Sequence, residues 1–90
     1  MELNELRDRI DATDDEIIKL FIKRMKISES VAQYKKEHNM QIFDGERERL
    51  LLDRVEEKAG GEMGGYTRKL FECLMELSKE YQKKNYENAK

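Results

Sequence analysis

Apolar positions recur at spacings of three and four from the start of the chain. Leu3, Leu6, Ile10, Thr13, Ile17, Leu20, Arg24, Ile27, Val31 and Tyr34 form one series without a slip. Such alternation is a heptad seam, and over about residues 3–37 it predicts one helix of roughly 50 Å at 1.5 Å per residue. A second helical segment is predicted over about 44–59, with Leu51 and Val55 on one face and Asp44 as N-cap. A third runs from about 65 to 86, where Tyr66, Leu70, Leu74, Leu77 and Tyr81 repeat at helical spacing. GGEMGG, residues 60–65, reads as a glycine-rich loop between the last two helices, and HNMQ, residues 38–41, as a weaker break. The tail ENAK is expected to fray. The expectation is all-α: a single domain over residues 1–90, with one long helix and two shorter ones.

A helix of that length cannot bury its seam against two shorter helices in so small a chain. The seam therefore predicts a second copy, paired as an intertwined homodimer. A plain two-stranded coiled coil fits less well, because the second and third segments carry apolar faces of their own.

Composition narrows the classes. Charged residues make up 42% of the chain, but 18 basic residues nearly cancel 20 acidic ones and the signs are interleaved. That pattern describes exposed faces of helices rather than a disordered block. A net charge of -2, with no basic stripe, gives no footprint for nucleic acid. The N-terminus has no apolar signal region, and no stretch approaches the ~20 apolar residues of a membrane span; the expectation is a cytoplasmic protein without a membrane partner. Cys73 is the sole cysteine and reads as an inert thiol buried beside Leu70, Leu74 and Leu77. His38, the sole histidine, reads as an exposed loop or helix-end residue. One Cys and one His this far apart argue against a metal site or a Cys–His nucleophile.

Candidate chemistry lies in polar residues standing where the pattern wants apolar ones. Arg24 occupies a seam position, and Lys35 lies three turns on along nearly the same face, about 16 Å away. Two long cations at that separation can close on a small dianion, although a lone polar seam residue can also serve only to fix register. Arg7 is about 25 Å from Arg24 along the axis, so the two can share a ligand only if an antiparallel second chain supplies Arg7. In the second segment Arg47 and Glu48 follow Asp44 at i+3 and i+4, on the face of Leu51 and Val55, while Glu46 and Arg49 point to solvent. In the third, Ser78 and Gln82 replace apolar residues in the row of Phe71 and of Leu74 or Met75. Buried polar groups must be paired, either with one another or with a small hydroxylated anion.

In order and spacing, LRDRIDATDDEIIKLFIKR, SVAQYKK, FDGERERLLLDRV and YTRKLFECLMELSKEYQ resemble the all-helical (AroQ-class) chorismate mutases over nearly the whole chain. The resemblance implies a dimer of three-helix chains that converts chorismate to prephenate, a step of Phe and Tyr biosynthesis, without cofactor. It implies carboxylate-binding roles for Arg24 and for Arg7 of the partner chain. Lys35 matches the cation at the carboxylate and ether oxygen, and Gln82 the second donor to that oxygen. Asp44 and Glu48 match the groups holding the ring hydroxyl, while Arg47 and Ser78 match supporting polar contacts. GGEMGG departs from the family pattern in its glycine content. Two alternatives stay open: an isochorismate-pyruvate lyase of the same fold, and a non-catalytic helical dimerisation module.

Overall fold

The computed structural model describes residues 1–88, and the chain forms three helices in order: α1 (Leu3–Glu37), α2 (Gly45–Ala59) and α3 (Gly61–Asn88). α1 stops where the break HNMQ is expected. Asn39 adopts φ 55°, Asn39 N–H bonds to Lys36 O at 3.3 Å and Met40 N–H to Lys35 O at 2.8 Å. This pairing is a Schellman stop, with asparagine as the left-handed residue just past the helix. α2 starts on Asp44, whose Oδ1 accepts the Arg47 N–H at 3.1 Å, satisfying one of the orphan donors of the first turn.

The expected loop over 60–65 is not there. Gly60, at φ 64°, is the whole connection, and Gly61, at φ 51°, already opens α3. Gly64 explains why the region is so rich in glycine. A Cβ built there would lie 2.9 Å from the Glu56 carbonyl oxygen, so the first turn of α3 rests directly on the backbone of α2. Gly65 meets nothing within 4 Å, and its identity has no packing reason in this chain. At the other end α3 takes in Glu87 and Asn88, the first half of the tail expected to fray; Ala89 and Lys90 lie outside the described residues.

α3 is the central element. It packs against both α1 and α2, whereas those two helices do not bring Cα atoms within 8 Å of each other. The α2–α3 contact holds Leu51, Val55 and Met75, with Leu52 and Phe71 packed against them. The α1–α3 contact is made through small residues, Ser28 and Ala32, both buried. Polar ties reinforce both seams: Arg68 bridges to Asp53 at 3.0 Å and Glu56 at 3.2 Å, and Tyr81 donates to Glu29 at 3.2 Å. Such exposed links contribute little individually.

The predicted seam of α1 is exposed in the single chain. Every residue from 1 to 20 is exposed, including Leu3, Leu6, Ile10, Ile17 and Leu20. On α3 the face turned to the core runs through Gly64, Phe71, Met75 and Ser78, while Tyr66, Leu70 and Leu77 face outward. Cys73 shares that outward side and is exposed rather than buried as expected, because it points away from the α2 contact. His38 is exposed at the C-cap of α1, its Nδ1 2.8 Å from Tyr34 O. No helix among the described residues is long and apolar enough to cross a membrane.

Candidate functional site

Because α1 and α2 are held apart on α3, a cleft remains between them. It encloses a cavity of about 310 Å³. α1 contributes Arg24 and Lys35 to its lining, α2 and its cap contribute Asp44, Arg47 and Glu48, and α3 contributes Ser78 and Gln82. Seven of the eight residues singled out in the sequence therefore meet at one place. Arg7 does not; it stands exposed on the projecting half of α1.

Each helix presents these groups for a local reason. Arg24 and Lys35 are three turns apart on α1, on the side next to the buried stripe of Ser28 and Ala32. Asp44 caps α2, so Arg47 and Glu48 occupy its first turn and Leu51 lies one turn deeper in the core. Ser78 and Gln82 continue the core row of α3 past Met75, beyond the point where α2 has anything apolar to offer.

The Arg24 guanidinium donates from Nη1 to Ser78 Oγ at 2.5 Å and lies 5.9 Å from the centroid of the Phe71 ring. Ser78 is buried and thus fixes the arginine head over the cavity. Burial, and secondarily the like charge of Arg47, lowers the Arg24 pKa from its ordinary value. The charge of an anion between the two guanidinium groups would offset both effects. Lys35 Nζ donates to the Ile42 carbonyl oxygen at 2.6 Å. An ammonium has three donors, so two remain for a ligand. Among the described residues neither the Arg47 guanidinium nor the Gln82 amide has a hydrogen-bond or ion-pair partner, although both line the cavity. Both groups are open to solvent, so their donors are available to a molecule that enters the cavity.

One charged lining residue escaped the sequence reading. Lys79 reaches from α3 to Glu48 on α2, its Nζ 3.3 Å from Glu48 Oε2. The periodicity does not mark it: Lys79 falls four residues after Met75 and three before Gln82, at the edge of the core face, where a lysine is ordinary. Ser28 adds a buried hydroxyl, and the rest of the wall is apolar, from Ile27, Val31, Ile42, Leu51 and Met75. The cavity thus joins four cations and two carboxylates to an apolar wall, which suits a compact anion with a hydrocarbon body and a hydroxyl group. Among the described residues no three His, Cys, Asp or Glu side chains converge as metal ligands.

Comparison with known proteins points the same way. The family model described as chorismate mutase type II matches residues 6–83. A chorismate mutase of Methanocaldococcus jannaschii is 32% identical over 90 residues, covering 98% of this chain and 91% of that protein. The T-protein of Haemophilus influenzae is 43% identical over 61 residues, 64% of this chain and 16% of that protein. A bifunctional chorismate mutase/prephenate dehydratase of Aquifex aeolicus is 37% identical over 54 residues, 60% of this chain and 15% of its own length. The chain therefore spans nearly all of the first relative and a small part of the other two. No solved structure matches it.

Proposed function

The chain belongs to the type II chorismate mutase family and has that family's enzymatic activity, within aromatic amino-acid biosynthesis; we propose that the cavity between α1 and α2 is where chorismate rearranges to prephenate, in a homodimer whose second copy completes the site. The observation that carries this reading is the meeting of Arg24, Lys35, Arg47 and Gln82 on one cavity, the last two with no side-chain hydrogen-bond partner among the described residues.

The rearrangement is unimolecular: a C–O bond breaks as a C–C bond forms, and no proton or nucleophile is supplied. Two tasks are left to the protein. The first is to hold the enolpyruvyl arm over the ring, which clamping both carboxylates achieves by removing rotational freedom. Arg24, oriented by Ser78, takes one end of the dianion, with Arg7 of the second copy and Arg47 as further cations. The second task is to stabilise negative charge that develops on the ether oxygen. Donors fixed before the reaction do this without reorganising, and Lys35 and Gln82 are suited to it. Asp44 has one oxygen engaged in the α2 cap and Glu48 is held by Lys79, leaving lone pairs on both to accept the ring hydroxyl.

A second copy answers two features at once. It covers the exposed seam of α1, and, running antiparallel, it brings Arg7 to a cavity that its own chain cannot reach. The test is direct: purified protein is mixed with chorismate, the loss of chorismate absorbance is followed, and the product is identified by HPLC. Conversion to prephenate is expected. Unchanged chorismate, or release of pyruvate in place of prephenate, would overturn the reading.

A further inference from the structure

Lys79 is the cavity-lining cation that neither the apolar pattern nor the family resemblance gives a role. Its ammonium sits 3.4 Å from Glu48 Oε1 and 3.3 Å from Oε2, nearly equidistant from the two carboxylate oxygens. Two further groups anchor it. Glu76, one turn back on α3, lies 2.8 Å away, and the Phe43 ring centroid lies 5.1 Å away. Hydrogen bonds to Glu76 first, and then to Glu48, outweigh burial and raise the Lys79 pKa, so the group stays charged throughout the ordinary pH range.

The geometry differs from that of a surface ion pair between two mobile chains. Lys79 is 28% and Glu48 24% exposed, whereas Glu76 is 70% exposed. The lysine is thus fastened from outside by Glu76 and presents its charge inward to Glu48. A free glutamate side chain loses rotamer freedom when it is fixed, an entropic cost. Here that cost is met before any ligand arrives. A carboxylate has about four lone-pair sites, and an ammonium straddling both oxygens leaves others open towards the cavity.

We propose that Lys79 is a positioning residue for substrate binding: it holds the Glu48 carboxylate in the orientation that accepts the ring hydroxyl of the substrate. The inference rests on the reading above, in which Glu48 receives that hydroxyl. The contact is present both before and in the transition state, so its loss falls on KM rather than kcat.

The experiment is a double-mutant cycle in steady-state kinetics with chorismate, on Lys79→Met, Glu48→Gln and the double variant. Lys79→Arg and Glu76→Gln accompany it, and thermal unfolding confirms that each variant is folded. Lys79→Met should raise KM about 5- to 20-fold with kcat changed by less than about 3-fold. Lys79→Arg, which keeps the charge, should recover most of the loss, and Glu76→Gln should raise KM by a smaller factor. In the Glu48→Gln background, adding Lys79→Met should change kcat/KM by less than about 2-fold, because the group it positions is already gone. If Glu48→Gln is impaired but the Lys79→Met loss multiplies in full on top of it, or Lys79→Met leaves KM unchanged, the inference is wrong and the site reading stands. If Glu48→Gln is as active as wild type, the site reading itself fails at that residue.

Discussion

Gln82 is a half-buried amide on the cavity wall with no hydrogen-bond partner among the described residues. A neutral amide can donate an N–H to the ether oxygen at any ordinary pH. Glutamate has nearly the same shape but donates only when protonated, and when ionised it repels the charge developing on that oxygen. Gln82→Glu should therefore be active in acid and lose activity as pH rises through the carboxyl pKa, a limb the wild type lacks. Free glutamate titrates near ~4.3, so the midpoint also reports how far burial raises the new carboxyl and Lys35 lowers it. Superimposed pH–rate profiles for the two proteins, wherever both stay folded, would remove Gln82 from the ether oxygen. Lys35→Ala is the companion case. It deletes both a cation for a carboxylate and a donor to the same oxygen, so kcat/KM should fall by at least ~100-fold, following the ~2.7 kcal/mol or more typical of one such donor. Folding should change little, since the lost contact is one bond to the Ile42 carbonyl. Retained activity would exclude Lys35 from the chemistry.

At this scale the sequence was legible wherever a polar residue broke an apolar rhythm. Arg24 in the seam and Ser78 and Gln82 in the core row of α3 were visible for that reason, and all three line the cavity. Lys79 broke no rhythm. It lies at the edge of the core stripe, where a lysine is ordinary, and only the approach of α2 shows its ammonium against Glu48. Cys73 is exposed because its neighbours Leu70 and Leu77 belong to the outward stripe of α3, and an apolar stripe does not say which side of a helix meets its own chain.

At the scale of elements, α1 was readable from its seam and the break at HNMQ, and the start of α2 from its aspartate cap, because these are all local signals. GGEMGG was not, because glycine marks both turns and close approaches and periodicity cannot tell them apart. The two uses can be separated by experiment. Gly64→Ala places a Cβ 2.9 Å from the Glu56 carbonyl oxygen, which is backbone and cannot swing aside. Despite gaining up to ~1 kcal/mol in helix propensity, it should be destabilised by about 1–2 kcal/mol through overpacking of the α2–α3 contact. Gly65→Ala meets nothing within 4 Å and should be neutral or more stable. Urea unfolding at one fixed protein concentration compares the pair. Equal tolerance at both positions would mean that α3 does not rest on α2 at this point.

At the scale of the molecule the deciding fact is how little the chain buries. Among the described residues the buried hydrophobics are Ala32, Leu51, Val55 and Met75, while apolar side chains from Leu3 to Tyr34 lie open along α1. Four buried side chains cannot offset the conformational entropy of ordering a chain of this size, and a continuous apolar stripe on a monomer marks a contact surface. The same helix carries Arg7 about 25 Å from Arg24, out of reach of its own cavity. If a second copy lies antiparallel along α1, one geometric fact explains both the open seam and the stranded arginine. Neither Arg7→Ala nor Arg24→Ala should then retain much activity alone, since each removes a carboxylate clamp from both sites of its homodimer. Mixed and allowed to exchange subunits, the two variants should regain roughly a quarter of wild-type activity. Half of the dimers are then mixed, and each of those has one site with both arginines and one with neither. The gain should follow the rate of subunit exchange and be absent when exchange is blocked by cross-linking the homodimers first. Verified heterodimers that remain inactive would show that Arg7 serves no site in the partner, and the projecting half of α1 would need another purpose.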